Sequence, residues 1–142
     1  VRLDEVIHAV KAPAHLLERP YLWPLYDEPE FIVRNIWRLY AGWYDGNPAN
    51  LKPAPEAAVA AEVAALAGGA ARLAERAKEL AAEGELRLAC HLAEMAALAA
   101  PTDEAVRATR GEVLRARAAS EASLMARGIF NAAAAEEPSG IA

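Results

Sequence analysis

The sequence predicts an all-α fold: helical hairpins of tetratricopeptide-like kind, preceded by a proline-broken aromatic helical segment. Two features divide the 142 residues in this way. Eight of the nine aromatic residues lie between Tyr21 and Tyr44, and seven of the nine prolines precede Glu56. A third feature sets the class of the remainder: from Glu56 onward alanine-rich segments of helical periodicity follow one another, punctuated by glycine and proline. Residues 1–55 thus read as an aromatic, proline-rich arm and helix, 56–135 as alanine-rich helical hairpins, and 136–142 as a flexible tail. We expect 1–135 to form one domain.

The first element is a short amphipathic helix in RLDEVIHAVK, with Leu3, Val6, Ile7 and Val10 on one face. PAHLLERPYLWPLY follows, and Pro20 and Pro24 confine it to a helical turn and then extended chain. Asp27 stands three residues before Glu30, the spacing of a capping box, and Pro29 suits the first turn of a helix. That helix should run from 29 to about 44. It carries two apolar stripes, Ile32–Ile36–Leu39–Trp43 and Val33–Trp37–Tyr40–Tyr44, with Glu30, Arg34 and Arg38 as a polar ridge. So wide an apolar arc needs cover on two sides, one from its own domain and one from a second subunit or a neighbouring domain. Asp45, Gly46, Asn47 and Pro48 form the stop, with Gly46 supplying a left-handed cap and Pro48 extending Asn47. PANLKPAP is a stiff connector.

Helices are predicted at 56–67, 70–83, 85–99, 103–118 and 121–134, with breaks at Gly68–Gly69, Gly84, APTD and Ser120, and with Asp103 as an N-cap. Within 70–103 the spacing fits a 34-residue helical-hairpin repeat. Its small positions fall on Ala77, Gly84, Ala89 and Ala96, its large one on Leu80, and a fading second copy retains Gly111 and Leu114. A plain antiparallel bundle fits the same residues.

Composition and motifs narrow the function. A net charge of −5, with Lys and Arg scattered singly, lacks the clustered basic face of a nucleic-acid binder. No apolar run approaches the roughly 20 residues of a membrane span. Val1 in place of an initiator methionine points to a piece of a longer chain. The lone Cys90 excludes an internal disulfide, leaves the compartment open, and reads as a small apolar helix position. His8, His15 and His91 show no metal-ligand spacing, and there is no nucleophile elbow, phosphate loop or dinucleotide fingerprint. We therefore expect no catalytic residue, no metal ligand and no cofactor within these residues.

Arg34-Asn35-Ile36-Trp37-Arg38-Leu39-Tyr40, followed by Gly42-Trp43-Tyr44-Asp45-Gly46-Asn47-Pro48-Ala49-Asn50-Leu51, resembles the dimerisation region of zinc-dependent alkylsulfatases. RPYLWPLYDEPEF before it and SLMARGIFNAAA near the end are also similar to that family, so the resemblance covers nearly the whole chain. It implies a parent built on a metallo-β-lactamase-fold catalytic domain with a two-zinc H-x-H-x-D-H motif. That motif is absent here, which places the zinc and the hydrolysis of sulfuric esters upstream of Val1. A sterol-carrier-like domain often follows in such enzymes. The helical region itself would join a homodimer and cover part of the active-site mouth. On this resemblance Ile32, Val33, Trp37, Trp43 and Tyr44 are candidates for the dimer interface, and Arg34, Asn35 and Tyr40 for contact with substrate. Buried aromatics are large rigid anchors, each contributing on the order of 2–3 kcal/mol. Arg34 and Arg38 are either a solvated ridge or partners of a sulfate ester, which a planar guanidinium binds bidentately. The alternative function is a tetratricopeptide-like adaptor holding a peptide partner in a groove over 70–134.

Overall fold

A computed structural model describes residues 1–136, and apart from Glu136 the predicted flexible tail lies outside them. All regular structure among the described residues is helical. The described chain gathers into two compact units: residues 1–53 with 122–125, and residues 54–121 with 126–136.

In the first unit α1 (Leu3–Ala9) packs on α3 (Pro29–Ala41), with the short α2 (Ala14–Leu17) and a run of turns between them. Ile7 is the buried residue of α1, whereas Val10 lies beyond the helix and is exposed. The helix start at Asp27 differs from the sequence expectation. Glu28 is the N-cap of α3, without a side-chain cap bond, and the Asp27 carboxylate accepts the Glu28 N–H at 2.8 Å. Pro29 fixes φ at the first helical position, so the extended residue before it takes the cap. The far end is also shorter than expected. Gly42, at φ +83°, is the C-cap, and Trp43 and Tyr44 lie past the helix. Gly46 does adopt a positive φ, +84°, within the turn that follows.

The second unit contains α4 (Glu56–Ala67), α5 (Ala70–Ala82), α6 (Leu86–Ala99), α7 (Glu104–Ser120) and, from residue 126, most of α8 (Leu124–Ala135). Gly68 (φ +93°) closes α4 in the left-handed conformation, and α5 leaves at 84° to it. Asp103 caps α7 as expected, accepting the N–H groups of Ala105 and Val106. The last break falls at 121–123 instead of at Ser120, which completes α7.

The core is built from the smallest side chains. Ala77, Ala89 and Ala96 are fully buried, with Leu73, Leu80, Val106 and Val113 filling the spaces between them. Alanine faces let helix axes approach at the close end of the usual 8–10 Å range, and α6 packs against α4, α5 and α7. Burial at these positions is common to any alanine-rich bundle, repeat or not. Gly111 sits where α7 passes the end of α8, with Ala134 O 3.4 Å from the position a Cβ would take. Beside it the Arg110 guanidinium donates to Ala133 O (2.9 Å) and pairs with Glu94 (2.6 Å), placing a cation at the negative end of α8. Arg117 pairs with Glu121 and lies over the Phe130 ring at 5.5 Å, in a largely buried setting. No single described helix is long and apolar enough to cross a membrane.

Candidate interaction surface

The turn after α3 fixes the geometry of the site. The Trp37 indole N–H donates to Tyr44 O at 3.0 Å, tying the helix to the residues beyond its glycine cap. Trp43 and Tyr44 meet edge to face at 5.9 Å. One Asp45 carboxylate oxygen accepts the Asn47 N–H (2.8 Å) and the other accepts the Asn50 side-chain amide (2.5 Å). Those hydrogen bonds, Asn50 first and Asn47 second, hold the Asp45 carboxyl below the usual carboxylate range. Asn47 accepts the Ala49 N–H at the start of the short 3-10 turn that Pro48 opens. Leu3 N–H donates to Asp45 O at 2.8 Å, and the Val1 carbonyl oxygen is 2.8 Å from where a Gly46 Cβ would stand. Asp45, Gly46, Asn47 and Pro48 thus form a turn that also anchors the N-terminal segment.

The two stripes of α3 have different fates. Val33, only 9% exposed, and half-buried Trp37 face their own unit, as does Tyr44 beyond the helix. Ile32 and Ile36 are half exposed, Leu39 is 75% exposed, Tyr40 84% and Trp43 76%. Of the five interface candidates, then, Ile32 and Trp43 stand on the open side, while Val33, Trp37 and Tyr44 support it from behind. Ile36, Leu39 and Tyr40 complete the open face. The substrate-contact candidates do not gather. Arg34, Asn35 and Tyr40 are all exposed, but at 3.6 residues per turn they point roughly 100–140° apart around the helix. Tyr40 borders the apolar stripe, and Arg34 points away from it.

A second exposed apolar segment lies in the same unit. Tyr21, Leu22, Trp23, Leu25 and Tyr26 all remain open to solvent within the proline-broken arm. The arm is held by residues far along the chain. Leu124 N–H donates to Leu25 O (2.7 Å), Met125 N–H to Tyr26 O (3.1 Å), and the buried Ser123 hydroxyl also to Tyr26 O (2.7 Å). The sequence reading singled out neither this clamp nor the arm's exposure, since a serine between two helices carries no signal of its partner.

His8 is turned onto Asp4, and among the described residues no three His, Cys, Asp or Glu side chains stand close enough to hold a metal ion. The described residues do not fit zinc. Burial pushes the Cys90 thiol up, away from the thiolate a nucleophile needs. A polar cleft of about 350 Å³ between α7 and the end of α8 is lined by Arg107, Arg110 and Arg115, of which Arg110 is already committed to Glu94 and Ala133.

A small helical chain whose main surface feature is uncovered aromatic and aliphatic side chains is an association region. Residues 2–140 match the family model described as alkyl sulfatase dimerisation, and the chain belongs to that family. It is 36% identical over 90 residues to a linear primary-alkylsulfatase of a Pseudomonas species (strain ATCC 19151), covering 63% of this chain and 17% of that protein. An (R)-specific secondary-alkylsulfatase, also from Pseudomonas, is 29% identical over 104 residues, 73% of this chain and 16% of its own length. The solved structure of Pisa1, a stereoselective inverting sec-alkylsulfatase from Pseudomonas, superposes with a TM-score of 0.86 at 25% identity, covering 100% of this chain and 23% of that one. The chain therefore spans about a sixth of the curated relatives it matches.

Proposed function

We propose that this chain joins two subunits of an alkylsulfatase-type sulfuric ester hydrolase and helps shape the entrance to its active site, without catalysis of its own. Zinc and the reacting groups belong, on this reading, to a metallo-β-lactamase-fold catalytic domain of the parent chain. The observation that carries it is the open apolar face of α3 in a chain that matches the dimerisation family from residue 2 to residue 140. A peptide-binding adaptor is less well supported, because the exposed apolar side chains concentrate in residues 21–43, outside 70–134.

One measurement tests both halves of the proposal. Native mass spectrometry of the chain at micromolar concentration, with zinc added, should give twice 15.1 kDa and no retained metal. A single-chain mass throughout the concentration range would refute subunit joining. One zinc held per chain would refute the division of labour.

Arg34 is the residue proposed to meet the sulfate. It is exposed, it stands on the side of α3 away from the apolar stripe, and its guanidinium matches an oxyanion in shape and charge. Asn35 lies about 100° from it, at the other edge of the stripe from Tyr40, and is a weaker candidate. In the full-length parent, Arg34→Ala should lower kcat/KM roughly 10- to 100-fold, the loss of one charge-assisted hydrogen bond. The melting temperature and the subunit mass should stay as they are. Unchanged turnover would return Arg34 to the role of a solvated ridge residue.

A further inference from the structure

We propose that the second copy docks on the outer stripe of α3, helix against helix, across a two-fold axis passing beside Ile36 and Leu39. This rests on the subunit-joining reading and adds to it the face that does the joining. Ile32, Ile36 and Leu39 are separated by four and three residues, the alternation of a two-helix seam, and Trp43 follows them just past the end of α3. Each is exposed by half or more, so a large part of its apolar surface is left without cover. Val33 and Trp37 turn inward behind them, which seats the helix firmly on its own unit.

Symmetry adds a condition that this stripe meets. A two-fold axis brings a patch against its own copy, so an excess of one charge there would repel itself. The stripe has no charged residue. At 3.6 residues per turn Arg34 stands about 170° from its centre and Arg38 about 130°. Asn35 and Tyr40, one on each flank, are uncharged and can hydrogen-bond across the seam. The charge pattern of α3 is thus compatible with a copy of itself on one side and with an anion on the other.

Cysteine cross-linking tests the face directly. In a Cys90→Ser background, Ile36→Cys and Arg34→Cys are each treated with a short bismaleimide at micromolar concentration. Ile36→Cys should be trapped as a covalent species of twice 15.1 kDa, and Arg34→Cys should remain a single chain. Ile36→Glu should weaken self-association by about tenfold or more while keeping the helical circular dichroism. If Ile36→Glu is misfolded, the cross-linking pair decides alone. A wild-type dimer in which Arg34→Cys links and Ile36→Cys does not would overturn the proposed face and leave subunit joining intact. A wild-type chain that never pairs would overturn both.

Discussion

Replacing Gly46 with valine is expected to destabilise the first compact unit by about 2–4 kcal/mol, and the same change at Gly42 by about 1–2 kcal/mol. Both glycines have a positive φ, +84° and +83°, which strains a β-branched residue at either position. They differ in surroundings. A Cβ at Gly42 meets nothing within 4 Å, whereas one at Gly46 would press on the Val1 carbonyl oxygen at 2.8 Å and on the Arg2 backbone at 3.1 Å. The loss at Gly46 therefore adds the pressure on the N-terminal segment to the backbone strain. Trp23, Trp37 and Trp43, the chain's three tryptophans, all lie in this unit, so urea titrations followed by indole fluorescence report it selectively. Equal losses at the two positions would mean that residues 1–2 are not anchored there.

Ala77→Leu is expected to cost about 1–3 kcal/mol, with a melting temperature lower by roughly 2–4 °C for each kcal/mol. Ala77 has no exposed surface and shares its contacts with Leu80, Ala89, Ala93 and Val113. Three added carbons must therefore push α5 from α6 or force poor rotamers. Ala57→Leu on the exposed side of α4 is the control and should stay within about 0.5 kcal/mol of the parent chain. Thermal melts followed at 222 nm compare the two. A tolerated leucine at Ala77 would show that the helices do not meet closely at that point.

Legibility in the sequence followed the range of the forces involved. The helices from 56 to 99 and the start of α7 were readable nearly to the residue, because Gly68, Gly84 and Asp103 act on their immediate neighbours and the alanine periodicity lies within each segment. The break between α7 and α8, which has no such marker, was placed too early. The start of α3 was not readable either. Asp27 and Glu30 have capping-box spacing, but Pro29 moves the cap to Glu28, and two local rules competed. Its end was misplaced because Gly42 and Gly46 both adopt a positive φ that ends a helix, and the earlier one prevails. The two stripes of α3 were legible as stripes, yet nothing in their residue types told which would be covered. That depended on α1, some 25 residues earlier in the chain. The scattering of Arg34, Asn35 and Tyr40 around α3 follows from helical geometry once the helix is accepted, so family likeness had grouped residues that the backbone separates.

The clamp on the aromatic arm bears on how the chain emerges during synthesis. Ser123 and the Tyr26 carbonyl it holds are 97 residues apart. At the usual 5–20 residues per second, about 5–20 s pass between the appearance of one and the arrival of the other. For that interval Tyr21, Trp23, Leu25 and Tyr26 are outside the ribosome without the hydroxyl and amides that later hold their backbone. Pro20 precedes this stretch and Pro24 interrupts it, and a proline-interrupted strand is a poor template for intermolecular pairing. The prolines that spoil the helix thus also guard an exposed aromatic segment while it waits for its clamp.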